Sequence, residues 1–183
     1  MHNYRVRPAA PEDVEAIIGL RLEAEQWLHA RGIEQWTSTK RGVQSIRDHL
    51  DGTHVVEHQG LIVASLALEG PDPDFWTDTD DLASGLHLYK FMIARPHRGT
   101  GLGDALLDWC CERAEVAGKT WLRLDCWRTN TGLQRYYLDR GFTRIRTVTV
   151  SWRDSGALFQ RPANLRLTSD ATVTLAGSTP VGD

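Results

Sequence analysis

Cysteine is scarce in this chain, and its few cysteines lack the spacing of a structural site. The three residues Cys110, Cys111 and Cys126 make an odd number and are not arranged like zinc ligands. This pattern argues against a disulfide framework and gives no indication of a metal site. Because cysteine is among the most buried residue types, we expect all three to be small core residues in a reducing compartment.

Long apolar runs and a marked excess of one charge are also missing. No run reaches the roughly 20 apolar residues that span a bilayer, and the N-terminal stretch MHNYRVRPAAPEDVEA has no apolar core typical of a secretory signal. The formal net charge of −3 does not favour binding to nucleic acid. We therefore expect a cytoplasmic protein without membrane or nucleic-acid partners.

What the chain does have is an alternation of strand and helix patterns. Its 183 residues, 41% hydrophobic and 25% charged, suit one globular domain. We expect a mixed α/β domain over residues 1–162, and a tail over 163–183 that is either a loose extra strand or disordered. Strands are predicted at 4–9, in a hairpin turning at 59–60, and at 85–94, 120–127, 142–150 and 156–161; helices are predicted from 11 to near 32 and at 42–50, 102–117 and 131–140.

A glycine-rich stretch, HRGTGLGDALLDW, joins the fourth strand to the third helix. Glycine is costly to order, so this loop indicates close approach of a ligand to the backbone. The first N–H groups of a helix have no intrahelical partner, and that end of the helix is positive. With Arg98 beside it, the loop is predicted to bind phosphate. On the helix that follows, Asp104, Asp108, Glu112 and Glu115 are expected to lie mostly away from the apolar face.

Two common phosphate motifs do not fit this loop. The triplet GKT at 118–120 lies at the end of a helix, whereas a P-loop places it at the start of one. A dinucleotide fingerprint counted from Gly99 has Asp104 at its third glycine position, where an acid would face the pyrophosphate.

The arrangement Arg-x-x-Gly-x-Gly, here Arg98, Gly101 and Gly103, resembles the acetyl-CoA signature of the GNAT superfamily of N-acetyltransferases. The resemblance continues through LRLDCWRTNTGLQRYYLDRGF, and it is strongest over residues 86–142. It implies one mostly antiparallel sheet of about six or seven strands, splayed between the fourth and fifth strands and flanked by about four helices. It also leaves room for a homodimer, since family members commonly pair.

The same resemblance implies which residues hold acetyl-CoA. The fourth-strand backbone would pair with the pantetheine arm, the glycine loop would hold the pyrophosphate, and the fourth helix would border the cofactor. The residues implied are Phe91, Met92, Ile93, Arg98, Gly99, Thr100, Gly101, Leu102, Gly103, Asn130 and Tyr136.

For the chemistry, the resemblance implies direct attack of an amine on the thioester. Tyr137, four residues before Gly141, matches the family's tyrosine and is predicted to protonate the leaving thiolate. A strand N–H near Phe91 or Met92 is the expected oxyanion donor. Strand alternation places His87, Tyr89, Phe91 and Ile93 on one face, and His87 has a suitable ordinary pKa for the base. Glu69 or Asp125 acting through water, or no dedicated base, stay as alternatives.

The acceptor pocket rests on weaker signals. The acidic loop PDPDFWTDTDD would attract a cationic amine, although a solvated surface loop explains it equally simply. The expected acceptor-binding residues are Trp27, Trp36, Trp76, Asp74, Tyr89 and Asp125. We expect acetyl transfer to the primary amine of a small molecule; the alternatives are a protein or peptide amine and a catalytically silent CoA-binding module.

Overall fold

The computed structural model describes residues 2–36, 39–168 and 173–176. Its helices and strands follow the predicted alternation closely. The strands are β1 His2–Pro8, β2 Thr53–His58, β3 Leu61–Glu69, β4 Gly85–Ile93, β5 Trp121–Trp127, β6 Thr143–Thr147, β7 Ser155–Pro162 and β8 Val173–Ala176. The helices are α1 Val14–His29, α2 Thr39–Asp48, α3 Leu102–Val116 and α4 Thr131–Leu138.

Local turn chemistry accounts for much of this agreement. The β2–β3 hairpin turns at Gln59 and Gly60, whose φ angles of +52° and +80° suit the two-residue turns that match strand twist. A short turn at Pro11–Asp13 leads into α1, and the Asp13 carboxylate accepts hydrogen bonds from the Ala10 N–H and the Arg7 guanidinium. The predicted hairpin and first helix are therefore confirmed.

The described strands belong to one eight-stranded mixed sheet, and chain contacts divide the molecule into two units. The first unit contains the described parts of residues 1–67, 90–105 and 170–183. In it β1 pairs antiparallel with β2 and parallel with β8, and β2 pairs antiparallel with β3. The second unit contains residues 68–89 and the described part of 106–169. In it β7 lies between β5 and β6, antiparallel to both, and β4 pairs in parallel with β5.

Each unit has its own apolar cluster. In the first, Ile17, Ile18 and Leu20 of α1 pack with Ile46, Val55 and Met92. In the second, Phe75 and Trp76 pack with Leu158 of β7. All three cysteines are buried and free, as expected for core residues.

The mixed α/β class is confirmed, with one mixed sheet and four helices among the described residues. The eighth strand, β8, lies in the C-terminal tail, for which a loose extra strand was one of the two expectations, and it pairs with β1. Residues 169–172 and 177–183 of that tail lie outside the described residues, and the boundary at residue 162 stays a prediction.

Asp108 was expected to lie mostly away from the apolar face of α3, yet it is buried. Its carboxylate accepts hydrogen bonds from Arg161 at 2.5 Å and from the N–H groups of Leu167 and Thr168. A buried carboxylate is tolerated when its oxygens are paired in this way. The periodicity of α3 could not reveal partners that lie more than fifty residues along the chain.

Candidate active site

The glycine loop has the backbone geometry of an anion cradle. Gly99 and Gly101 have φ angles of +75° and +88°, which residues with a Cβ rarely adopt. A Cβ built on Gly99 meets nothing within 4 Å, so the backbone there is open to an approaching group. Helix α3 begins directly after the loop at Leu102, which directs its first N–H groups and positive end toward that space. Gly103 lies within the first turn of α3.

Arg98 is held next to this loop by the backbone and by an aromatic ring. Its Nε donates to the Ile93 carbonyl at 2.9 Å, and its guanidinium carbon lies 5.0 Å from the ring centroid of Trp27. Burial lowers the pKa of Arg98, but an arginine stays charged at neutral pH. The guanidinium carbon of Arg31 also lies 4.1 Å from the ring centroid of Trp27. The ring of Trp27 therefore packs against two arginines, and Trp27 is in addition a candidate for the acceptor pocket.

The second half of β4 departs from regular strand geometry. Lys90 has a φ of +50°, which interrupts the alternation that was expected to keep His87, Tyr89, Phe91 and Ile93 on one face. Beyond it Met92 is buried in the first unit's core, and the Ile93 carbonyl is occupied by Arg98. Arg98 thus already takes one of the two acceptor positions of the Ile93 carbonyl.

The pairing between β4 and β5 is short. It covers only Gly85–His87 against Trp121–Arg123, although both strands continue further. Tyr89 and Asp125 each lie two residues beyond the last pair, His87 with Arg123. The two side chains are close enough for the charge of Asp125 to raise the pKa of Tyr89. Tyr89 and Asp125, both predicted to bind the acceptor, therefore lie close together just beyond the last pair.

His87 lies in a dry aromatic and cationic environment. It is 0% exposed, and neither ring nitrogen has a hydrogen-bond partner among the described residues. The ring of Trp76 lies edge-on with its centroid at 5.1 Å. Burial, followed by the charges of Arg123 and Lys119, lowers the pKa of His87 to about 4. The imidazole is therefore neutral at pH 7 and binds protons weakly.

Asp125 has the opposite character. It is half-buried, and burial raises its pKa to about 6, although a hydrogen bond with Ser155 and the charge of Arg153 lower it. A carboxylate with a pKa near 6 is ionised at neutral pH and still takes up a proton readily. Asp125 thus has the proton affinity that His87 lacks.

Tyr89 uses its hydroxyl within the protein. The hydroxyl donates to the Gly70 carbonyl at 3.0 Å and accepts from the Asp72 N–H at 3.0 Å. Burial, together with the nearby charges of Asp125 and Asp72, raises its pKa well above the ordinary value. Tyr89 therefore fixes the start of the acidic loop, and its predicted contact with an acceptor would use the ring.

The α4 tyrosines have the different orientations expected for neighbours on a helix. Tyr137 is buried against Phe142 and Phe159, whereas Tyr136 is half-buried under Arg140, whose guanidinium carbon lies 3.7 Å from the ring centroid. Burial raises the pKa of Tyr137 well above its usual value, and the charge of Asp125 contributes. The Tyr137 hydroxyl thus stays protonated at neutral pH.

Asn130 has a structural task in addition to the one implied for it. Its Oδ1 accepts from the Leu133 N–H at 2.9 Å and caps the N-terminus of α4. The position of α4, and with it that of Tyr137, depends on this cap.

Trp36, another predicted acceptor-binding residue, packs partly against the first unit's core. The guanidinium carbon of Arg21 lies 4.7 Å from the centroid of its ring.

The acidic loop is fastened by arginines that sequence reasoning missed. Arg153 Nη2 donates to Asp72 at 2.6 Å and to Asp74 at 2.7 Å. Arg146 holds Asp80 through two hydrogen bonds, which lower the pKa of that carboxyl to about 2. Much of the predicted steering charge is therefore neutralised.

Trp76, predicted to line the acceptor pocket, is buried in the second unit's core. Of the two arginines that fasten the acidic loop, Arg146 lies in the TRIRT segment of β6 and Arg153 lies beyond that strand, and the partners of both are far away in sequence.

Within the described ranges, no helix is both long and apolar enough to cross a membrane. Nor do the described histidine, cysteine and acidic side chains form a group of three or more that could hold a metal ion.

Comparisons with known proteins agree with this arrangement. Residues 18–142 match the model of the Acetyltransferase (GNAT) family. The chain is 30% identical over 142 residues to the uncharacterized N-acetyltransferase YesJ of Bacillus subtilis (strain 168), covering 74% of this chain and 79% of YesJ.

Two solved structures share the fold. A GNAT-family acetyltransferase from Listeria monocytogenes 4b F2365 superimposes with a TM-score of 0.63 at 22% identity, covering 87% of this chain and 94% of its own. YncA from Salmonella typhimurium, solved with its cofactor acetyl-CoA, gives a TM-score of 0.58 at 20% identity, covering 92% and 99%.

Proposed function

Because the chain belongs to the GNAT acetyltransferase family, we propose that it is an N-acetyltransferase that transfers the acetyl group of acetyl-CoA to the primary amine of a small molecule. The observation that carries the proposal is the end of the β4–β5 ladder, where a carboxylate with a near-neutral pKa lies just beyond the last paired residues. The same chain places an anion cradle at the start of α3.

The loop residues suit the charged part of acetyl-CoA. The backbone at Gly99 is open, Gly101 has a positive φ that suits glycine, and the first N–H groups of α3 are available to phosphate oxygens. Arg98 donates its Nε–H to the Ile93 carbonyl, and its terminal Nη groups can then pair with a phosphate. When bound, acetyl-CoA supplies an activated acetyl group and a thiolate leaving group.

Two residues of the second unit are suited to handle protons. Asp125 accepts a proton on its carboxylate and so converts an ammonium into the nucleophilic amine. Tyr137 carries the hydroxyl that would protonate the leaving thiolate, and its position four residues before Gly141 supports this role, although burial raises its pKa and makes it a weaker acid than a free tyrosine. We prefer Asp125 to His87 as the base, because complete burial and a pKa of about 4 make His87 a poor proton acceptor.

The charge of Asp125 also supports an amine as the acceptor. With Asp72 and Asp74 paired to Arg153, Asp125 is the more available carboxylate for an ammonium group. A cytoplasmic location is part of the proposal, and three free, buried cysteines suit a reducing compartment.

The test is thiol release from acetyl-CoA with a panel of small primary amines and a panel of peptides. Turnover with small amines is the expected result. Turnover with peptides alone would identify a peptide acetyltransferase, and acetyl-CoA binding without turnover would identify a silent CoA-binding module.

A further inference from the structure

The glycine loop needs support from outside its own sequence. Glycines such as Gly99 and Gly101, which both have a positive φ here, can adopt many backbone conformations. Ordering them on ligand binding would cost conformational entropy. A loop held in its binding conformation beforehand avoids that cost, and its ligand binds more tightly. The structure contains several ties that act in this way.

One of these ties reaches α1, and two are local to the loop. The Arg95 N–H donates to Glu23 of α1 at 3.1 Å, and Arg98 Nε donates to Ile93. The Thr100 hydroxyl donates to the His97 carbonyl at 2.8 Å and so closes the loop on itself. The orientation of Thr100 and of the glycines on either side therefore depends on where His97 is held.

His97 is held by Tyr4, which lies in β1. The Tyr4 hydroxyl and His97 Nδ1 are hydrogen-bonded at 3.0 Å, and the rings meet edge-on with centroids 5.6 Å apart. Tyr4 is 1% exposed, and the ring of His58 packs beside both at 4.8 Å and 5.3 Å. Strand β1 has hydrogen-bonded neighbours on both edges, β2 and β8, which makes it a firm anchor.

We infer that Tyr4 and His97 are positioning residues of the acetyl-CoA site, holding the glycine loop ready for the phosphates through one hydrogen bond from β1. The inference rests on the proposed function, because it takes the loop to be where acetyl-CoA binds. Neither residue need touch the cofactor: Tyr4 acts on His97, and His97 acts on Thr100 through its carbonyl.

The test is calorimetric titration of the full chain with acetyl-CoA. Tyr4→Phe removes one hydroxyl and keeps the ring, and His97→Ala removes the partner. We expect each to raise the Kd for acetyl-CoA roughly three- to tenfold, the effect of one hydrogen bond, with unchanged stoichiometry. His97→Asn keeps a polar atom near the position of Nδ1 and should restore most of the affinity.

A circular-dichroism melt of each variant separates positioning from general stability. The apparent Kd is the true Kd divided by the folded fraction, so a variant that is almost fully folded at the titration temperature cannot raise it threefold through unfolding. His54→Ala is the matched control in the same unit, since the Nδ1 of His54 bonds to Gly52 instead of the loop. An unchanged Kd in both Tyr4→Phe and His97→Ala would overturn the inference.

The failure of the proposed function looks different. Wild-type protein that does not bind acetyl-CoA, or a Gly101→Val variant that binds as tightly as wild type, would remove the loop assignment and this inference with it. Loss of binding in Gly101→Val with an unchanged Kd in Tyr4→Phe and His97→Ala would overturn the inference alone.

Discussion

Asp125→Asn is the substitution that tests the proposed chemistry most directly. It removes the charge of the carboxylate and keeps its shape, so the packing beside Ser155 changes little. If Asp125 takes the proton from the acceptor, kcat should fall by about 10²–10⁴, the usual contribution of a general base. The affinity for acetyl-CoA should stay close to that of wild type, because the proposed phosphate contacts are those of Arg98 and the glycine loop.

The pH profile gives the same prediction a second readout. With a pKa of about 6, the carboxylate is about nine-tenths ionised at pH 7 and about one-tenth at pH 5. The kcat/KM of the wild type should therefore fall about tenfold per pH unit below pH 6. Ser155→Ala removes a hydrogen bond that lowers the pKa, so its acid limb should move to higher pH.

Stability should change in the opposite direction to activity. Folding raises the pKa of Asp125 from 3.8 to about 6, because burial disfavours the carboxylate. The free energy of unfolding contributed by the protonated side chain is therefore fully present below pH 3.8 and is lost as the pH rises through 6. At pH 7 to 8 the buried charge costs up to about 3 kcal/mol, at 1.36 kcal/mol per pKa unit. Asp125→Asn should thus melt at a higher temperature while it loses activity.

Thermal melts and initial rates from pH 5 to 9 would check these three statements. Full activity in Asp125→Asn, or an acid limb that stays near pH 6 in that variant, would refute the assignment of the base. A His87→Asn variant that alone abolished the acid limb would return the role to His87.

Three further substitutions test other parts of the structure. Tyr137→Phe should lower kcat by about 10²–10⁴ with little change in the affinity for acetyl-CoA. The control Tyr136→Phe should change kcat little. Initial rates of thiol release measure kcat, and calorimetry measures the affinity. Asp108→Ala leaves Arg161 buried without its partner and should cost about 3–5 kcal/mol in urea unfolding. Burial alone would raise the pKa of Asp108, but hydrogen bonds from Thr168, Arg161 and Leu167 lower it below the ordinary value. The stability that the ionised Asp108 contributes is therefore present above the pKa of the unfolded chain and is lost as the pH falls through the folded pKa. Gly101→Val should abolish acetyl-CoA binding in calorimetry, because φ of +88° excludes a β-branched residue, while circular dichroism stays that of a folded protein.

The sequence allowed prediction of those features that depend on near neighbours. Gly60 favours the hairpin turn through its own backbone freedom, and α3 begins where glycines give way to an apolar helical stripe. The tail sequence left open whether a strand would form there. The four residues of β8 form one because β1 offers them a free edge, and that edge is not visible in the tail's own pattern.

The ion pairs that fasten the acidic loop show the limit for charged residues. Asp74 and Arg153 are 79 positions apart, and nothing in either neighbourhood specifies the other. In the folded protein the guanidinium of Arg153 binds both Asp72 and Asp74. These two carboxylates therefore hold the loop in place, and their charge no longer attracts a cationic substrate. Composition counts the charges of a loop correctly, but only the fold decides which of them remain available to a substrate.

The same reasoning explains why the sequence favoured His87 over Asp125 as the base. In water, histidine is the natural proton acceptor near neutrality and aspartate is far too weak a base. Burial acts on the two groups in opposite directions: it disfavours the charged form of each, which lowers the pKa of His87 to about 4 and raises that of Asp125 to about 6. The order of their basicities is therefore inverted by one physical cause, which depends on how deeply each strand residue lies below the surface.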